Sequence, residues 1–206
     1  MSLVTCDVAI SMDGYATGVN QTRERPFGTI EYNRLHDWMF DGAEDNRAEV
    51  AAILDAGAFI MGRRMFSSDS GEWDLDWRGW WGEDPPYHAP VFVLTHHARD
   101  DLVMEGGTTF HFETAGIRPA LRRARAAAGP RNVAVAGGAS TINQFLAAGL
   151  LDELRVHVTP TVFGGGERLF DGVPPGDYAQ VSARGSNGVT HITYRPRSGA
   201  GASSDS

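Results

Sequence analysis

Two adjacent glycines, Gly137 and Gly138, close the apolar run in "NVAVAGGASTINQFL" (residues 132–146), and Ser140 and Thr141 follow them into an apolar pattern at helical spacing. A glycine pair at a strand-to-helix junction can serve either of two ends. It lets the chain turn where a side chain would clash, or it lets a phosphate approach backbone N–H groups at the positive end of a helix dipole. Two other junctions carry residues suited to the second end. "GRR" (62–64) follows "AFIM" and offers two guanidinium groups, which hold phosphate oxygens through charge-assisted bonds. "THH" (95–97) follows "PVFVL" and offers a hydroxyl and two imidazoles. In open α/β sheets, ligands collect outside the carboxyl ends of strands. The spacing is neither Gly-x-Gly-x-x-Gly nor a P-loop, which requires a lysine. All eighteen basic residues are arginine, so a Schiff-base lysine is also excluded. The histidines lack zinc spacing, no metal site is expected, and no Gly-x-Ser-x-Gly elbow supports a serine hydrolase.

These junctions need strands and helices to position them. "LVTCDVAI" (3–10) reads as a first strand, stopped by "SMDGYATG" and a loop that continues through "NQTRERPFGT". The spacing predicts a helix from Glu31 to Phe40 with Leu35, Trp38 and Met39 on one face. A second helix is expected from Asn46 to Ala56, with Val50, Ile53 and Leu54 inward. Short strands follow at 58–62, 90–97, 108–112, 132–136 and 153–162, with helices at 117–128 and 140–149. The last two strands alternate around Ser186-Asn187-Gly188, a hairpin signal. Residues 67–90 form an irregular excursion holding Trp73, Trp77, Trp80 and Trp81; these rings form either a wall for a planar ligand or a satellite core. The alternation predicts one α/β domain over 1–197, with a mostly parallel sheet and an antiparallel C-terminal hairpin.

Length and composition agree with a single globular domain: 206 residues, 42% hydrophobic and 21% charged. A formal charge of −8 argues against nucleic acid as a partner. The single cysteine, Cys6, excludes an internal disulfide and reads as a core residue. No apolar stretch approaches the about 20 residues of a membrane span, so a cytoplasmic protein without membrane contact is expected. The small polar tail "SGAGASSDS" (198–206) reads as disordered.

In combination, "SMDG", "MGRRMF", "VLTHH", "VAGGASTINQFL" and "DELRVHVTPTVFGGGERLF" resemble the dihydrofolate-reductase-like family. The closer likeness is to the C-terminal reductase domain of bifunctional riboflavin-biosynthesis deaminase-reductases. Stand-alone members of that group share the "NQ" loop, the "LHDWMF" helix and the "WGEDPPYHAPVFVLTH" run, so the resemblance spans residues 3–195. It implies a dihydrofolate-reductase-like three-layer fold and a reductase dependent on NADPH. By the resemblance, Gly62, Arg63, Arg64, Leu94, Thr95 and His96 hold the adenosine end of the cofactor. Gly137, Gly138, Ala139, Ser140 and Thr141 hold its pyrophosphate, which resolves the glycine pair towards phosphate binding. Asp13 and Gly14, with neighbours as far as Gln21, cover the nicotinamide. "FGGG" (163–166) reads equally as a site loop or a flexible turn.

The sequence also departs from its relatives. Dihydrofolate reductases place a carboxylate in the first helix shortly before a tryptophan, and aligning Trp38 there leaves Leu35 or His36 in the carboxylate's place. The substrate-binding lysine on strand one of the riboflavin-pathway reductases is missing. The acceptor is therefore expected to be a small heterocycle or its sugar, stacked on Trp38 or on the wall that includes Trp81. Asp13, His36 and Asp37 are the proton-donor candidates. Alternative readings are a pteridine reductase and a nucleotide-binding module without catalysis. A homodimer is expected by analogy.

Overall fold

The computed structural model describes residues 2–30 and 33–197. The chain runs β1 (Val4–Ser11), β2 (Tyr15–Thr17), α1 (Asn33–Phe40), α2 (Arg47–Leu54), β3 (Ala58–Gly62), α3 (Arg63–Phe66) and β4 (Pro90–Leu94). It continues through β5 (Leu102–Val103), β6 (Thr109–Glu113), α4 (Ile117–Ala128), β7 (Val133–Gly137) and α5 (Ala139–Ala147). The last elements are β8 (Glu153–Thr159), β9 (Glu167–Arg168), β10 (Tyr178–Ser186) and β11 (Val189–Pro196). The start of the expected first helix, at Glu31, and the expected disordered tail lie outside the described residues.

One nine-stranded sheet has the order β10-β11-β8-β1-β7-β3-β4-β6-β5. Strands β8, β1, β7, β3, β4 and β6 are mutually parallel, while β11 runs antiparallel to β8 and closes the expected hairpin with β10. The hairpin turns on Asn187 and Gly188, where Gly188 takes φ +76°. A two-residue loop of this type favours positive φ, which asparagine and glycine accept most easily. A separate antiparallel pair, β2 with β9, joins the loop after β1 to the loop after β8.

The strand period of two sorts β1 into two faces. Val4, Cys6, Val8 and Ile10 point into a core with Leu121, Ala124 and Ala128 of α4 and Ile142, Phe145 and Leu146 of α5. Cys6 is fully buried, and desolvation pushes its thiol pKa up. The opposite face of the sheet is covered in two halves of different chemistry. Over β3, β4 and β6 lies an aromatic cluster in which Phe59, Phe66, Tyr87 and Phe110 are packed by Trp73, Trp77 and Trp81. Over β1, β8 and β11 lie α1 and α2, and there the sheet presents Asp7, Arg155, His157 and His191 instead of apolar residues.

Three expectations change. Helix α2 buries none of its residues, so Val50 and Ile53 are only half-buried and Leu54 is exposed. The strand expected over 90–97 ends at Leu94, because the Thr95 hydroxyl accepts from the His97 N–H and folds the chain into a turn. The strand expected over 153–162 ends at Thr159, since Pro160 has no N–H to continue the ladder. No described helix is long and apolar enough to cross a membrane.

Candidate functional site at the strand ends

Four neighbouring parallel strands, β1, β7, β3 and β4, end on one side of the sheet, at Ser11, Gly137, Gly62 and Leu94. The sequence-predicted junctions are therefore brought to one edge. The two central turns touch. A Cβ at Gly62 would collide with the Thr141 hydroxyl, and one at Gly137 would stand 3.2 Å from the Met65 sulfur. Gly137 has φ +134° and is joined to Gly138 by a cis peptide. Gly138 differs from both: it has φ −75°, is exposed, and a Cβ there would meet nothing within 4 Å. Helix α5 opens on this residue without a side-chain cap. The amides of Ala139 and Ser140 belong to its first turn, where no preceding helical carbonyl exists to receive them. Ser140 is exposed, whereas Thr141 is buried against Gly62.

The two arginines face different surroundings. Arg63 lies over the Trp73 ring at 3.8 Å, donates to the Glu72 carbonyl at 3.2 Å, and keeps a buried Nε without a partner. Desolvation lowers its pKa. Arg64 is exposed and pairs with Glu167 of β9 at 3.1 Å. At the end of β4, the Thr95 hydroxyl and His97 occupy each other, and His96 is exposed.

The loop after β1 is fastened rather than free. Asp13 accepts from the Ser11 hydroxyl at 2.6 Å and from the Phe163 and Gly164 amides at 3.1 and 2.7 Å. These donors favour the anion, and its pKa falls to about 2, the Ser11 bond being the largest cause. Asp13 thus holds the 163–164 turn as an acceptor. The same bonds place "FGGG" beside the site. A Cβ at Gly14, Gly164 or Gly165 would meet nothing within 4 Å.

The remaining candidates are engaged in contacts of their own. Trp38 is 3% exposed, donates to the Leu35 carbonyl, and packs against His157 and His191 at ring distances of 4.6 and 5.0 Å. It serves as core and offers no face to a ligand. Trp81 is half-buried, stacks on Phe110 at 5.9 Å and meets Tyr87 edge-on, at the border of the aromatic cluster. Gln21 braces its own loop by donating to the Pro26 carbonyl at 2.7 Å. His36 packs on Phe27 of that loop, and Asp37 faces solvent. Neighbouring Arg23 pins the loop to Asp69 and Asp74 and lies over Trp77.

Sequence reasoning missed a buried polar chain under α1 and α2. The Asn46 amide donates to the Trp38 and Gly42 carbonyls, so its oxygen faces Arg184 and His191 at 3.0 and 2.9 Å. His191 Nε2 must then carry a hydrogen, and its Nδ1 accepts from His157 Nδ1 at 2.8 Å. That leaves His157 Nε2 facing Asp7 at 3.4 Å, while Arg155 reaches both Asp7 oxygens. Burial, and then the nearby His157, lower the His191 pKa to about 4, opposed by Glu49. The unfolded chain therefore binds a proton here before the folded one does. Stability should fall as pH drops from about 6.5 to about 4. Urea denaturation of His191→Gln should show a flatter pH dependence over that window than the parent; equal slopes would remove His191 from the account.

The profile of the RibD C-terminal domain matches residues 2–187. No curated protein matches the chain. Among solved structures, a candidate riboflavin biosynthesis protein of Shewanella sp. PV-4 is similar, with TM-score 0.62, 22% identity, and 95% of this chain and 99% of that one covered. A pyrimidine reductase-like protein of Corynebacterium diphtheriae aligns with TM-score 0.56 and 12% identity, covering 95% of this chain and 92% of the other. The diaminohydroxyphosphoribosylaminopyrimidine deaminase/5-amino-6-(5-phosphoribosylamino)uracil reductase of Thermotoga maritima aligns with TM-score 0.55 and 15% identity. That alignment covers 95% of this chain and 57% of the longer protein.

Proposed function

The chain belongs to the RibD C-terminal domain family, and from that membership we propose that it is an NADPH-dependent oxidoreductase acting on a small heterocyclic or ribosyl acceptor. One observation carries the reading: the turn at Gly138 leaves open space directly before the first amides of an uncapped helix. A phosphate needs that combination of room, unpaired N–H groups and dipole. The residues present fit the cofactor. Ala139 and Ser140 would hold the pyrophosphate, Arg64, paired with Glu167, offers a cation for the adenosine end, and Gly14, Gly164 and Gly165 leave room at the end of β1. When bound, the cofactor supplies the hydride. The chain's own work is then to bind, orient and exclude water. Asp13 orients the loop, and Asp13, His36 and Asp37 remain the proton-donor candidates.

The burial of Trp38 favours a second reading, a nucleotide-binding protein without a stacking wall for an acceptor. NADPH oxidation against a panel of pyrimidine, pteridine and flavin acceptors separates the two. The cofactor site has its own test. Gly138→Val places a branched side chain in the open space at a φ that valine accepts. The variant should fold and bind NADPH at least tenfold more weakly, a loss of about 1.4 kcal/mol. Unchanged affinity in titration calorimetry would leave the glycines a turn and nothing more.

A further inference from the structure

Asn143 is a polar residue among apolar ones: its neighbours in α5, Ile142, Phe145 and Leu146, are buried, and so is its own carboxamide. Both ends of that carboxamide bond main chain in one segment. Nδ2 donates to the Arg168 carbonyl at 2.9 Å, and Oδ1 accepts from the Phe170 N–H at 2.8 Å. The orientation is fixed, since exchanging nitrogen and oxygen would set like against like at both contacts. The same segment also reaches the loop after β1. The Leu169 N–H donates to the Gly14 carbonyl at 2.9 Å, and the Arg168 guanidinium donates to the Asp13 carbonyl at 3.0 Å while lying over Tyr15. Asp13 answers with its bonds to the Phe163 and Gly164 amides. Residues 163–170 therefore join the loop after β1 to helix α5, and through Glu167 to Arg64 at the end of β3.

We propose that Asn143 is a positioning residue that fixes the loop after β1 relative to the amides opening α5, so that both ends of one nicotinamide cofactor meet a preorganised surface. The inference rests on the cofactor reading above. Asn143 lies four residues beyond Ala139, one helical turn, so both stand on the same side of α5. With the carboxamide in place, the loop that would cover the nicotinamide is ordered before binding. Without it, that ordering falls on the binding step and weakens only the nicotinamide end.

The test compares two probes by titration calorimetry: NADPH and 2′-phospho-ADP-ribose, which keeps the phosphates and adenosine but lacks the nicotinamide ring. The parent protein should bind NADPH at least tenfold more tightly than the fragment. Asn143→Leu, close in volume and unable to hydrogen-bond, should bind the fragment within about twofold of the parent while losing most of the NADPH advantage. Arg168→Gln changes an exposed side chain far from the core, and it should reproduce that selective loss even if Asn143→Leu fails to fold. Equal weakening of both probes, or an unchanged ratio between them, overturns the positioning role. So does a parent that binds both probes equally. A parent that binds neither overturns the cofactor reading itself, and the inference with it.

Discussion

Arg155→Met should lower the free energy of unfolding by about 3–5 kcal/mol, the usual cost of stranding one member of a buried ion pair. Asp7 is 6% exposed, and Arg155 reaches its two oxygens at 3.3 and 3.1 Å. The same guanidinium donates to Glu153 at 2.9 Å and to the Ala52 carbonyl of α2 at 3.4 Å. Removing it leaves Asp7 facing His157 without a guanidinium and removes one of the ties between α2 and the sheet. Adding Asp7→Asn should recover part of the loss, because a neutral amide is far less costly to bury than an unpaired carboxylate. Urea denaturation of the two single variants and the double variant gives the coupling directly. A loss below about 1 kcal/mol for Arg155→Met, the range of solvated surface pairs, would refute a structural role for the pair.

Phe66→Ala should cost a similar amount, about 3–5 kcal/mol, for a different reason. Phe66 is fully buried and meets Trp73, Phe110 and Phe112 edge-on at ring distances of 5.0 to 5.9 Å. Trp77 donates its indole N–H to the Phe66 carbonyl at 2.8 Å, so this turn of α3 is one anchor of residues 67–89, beside the Trp73 bond to the His97 carbonyl and the Arg99 bonds to Leu75 and Trp77. The resulting cavity would sit beneath the whole tryptophan segment. Thermal unfolding followed by near-ultraviolet circular dichroism should show early loss of the aromatic signal. A variant as stable as its parent would mean that the segment is held by its arginine contacts and not by packing.

Much of this was legible from residue spacing, and the exceptions share a cause. Helical periodicity places α4, short apolar runs bounded by turn residues place β1, β3 and β7, and the Asn187-Gly188 turn places the hairpin. The strand-end turns could be found because glycine, arginine and threonine stand out against apolar runs. Helix α2 misled for the opposite reason. Its Val50, Ile53 and Leu54 follow a core pattern, yet the sheet beneath offers charged groups, so polar contacts from Asn46, Glu49 and the Ala52 carbonyl hold it instead. The buried chain had a signal: Glu153, Arg155 and His157 alternate with Leu154 and Val156 on one strand. Alternation of that kind is also what a solvent-facing strand shows, and only the helix above it decides between the two. Spacing puts Trp38 on the buried face of the first helix with Leu35, yet neither it nor Trp81 can be assigned to core or pocket from sequence, since a ring fills a core and lines a pocket with the same chemistry.

The two halves of the sheet's far face differ in their response to temperature. Apolar burial carries the large heat-capacity change of unfolding, and its stabilisation weakens on cooling. Burying ions costs less as temperature rises, because the hydration they give up becomes less favourable. The aromatic half under residues 67–89 therefore contributes most of the curvature in this face's stability, while the ionic half under α1 and α2 holds relatively better when hot. A single sheet joins a cold-sensitive flank to a heat-tolerant one, and the strand ends of β1 and β7 lie where they meet.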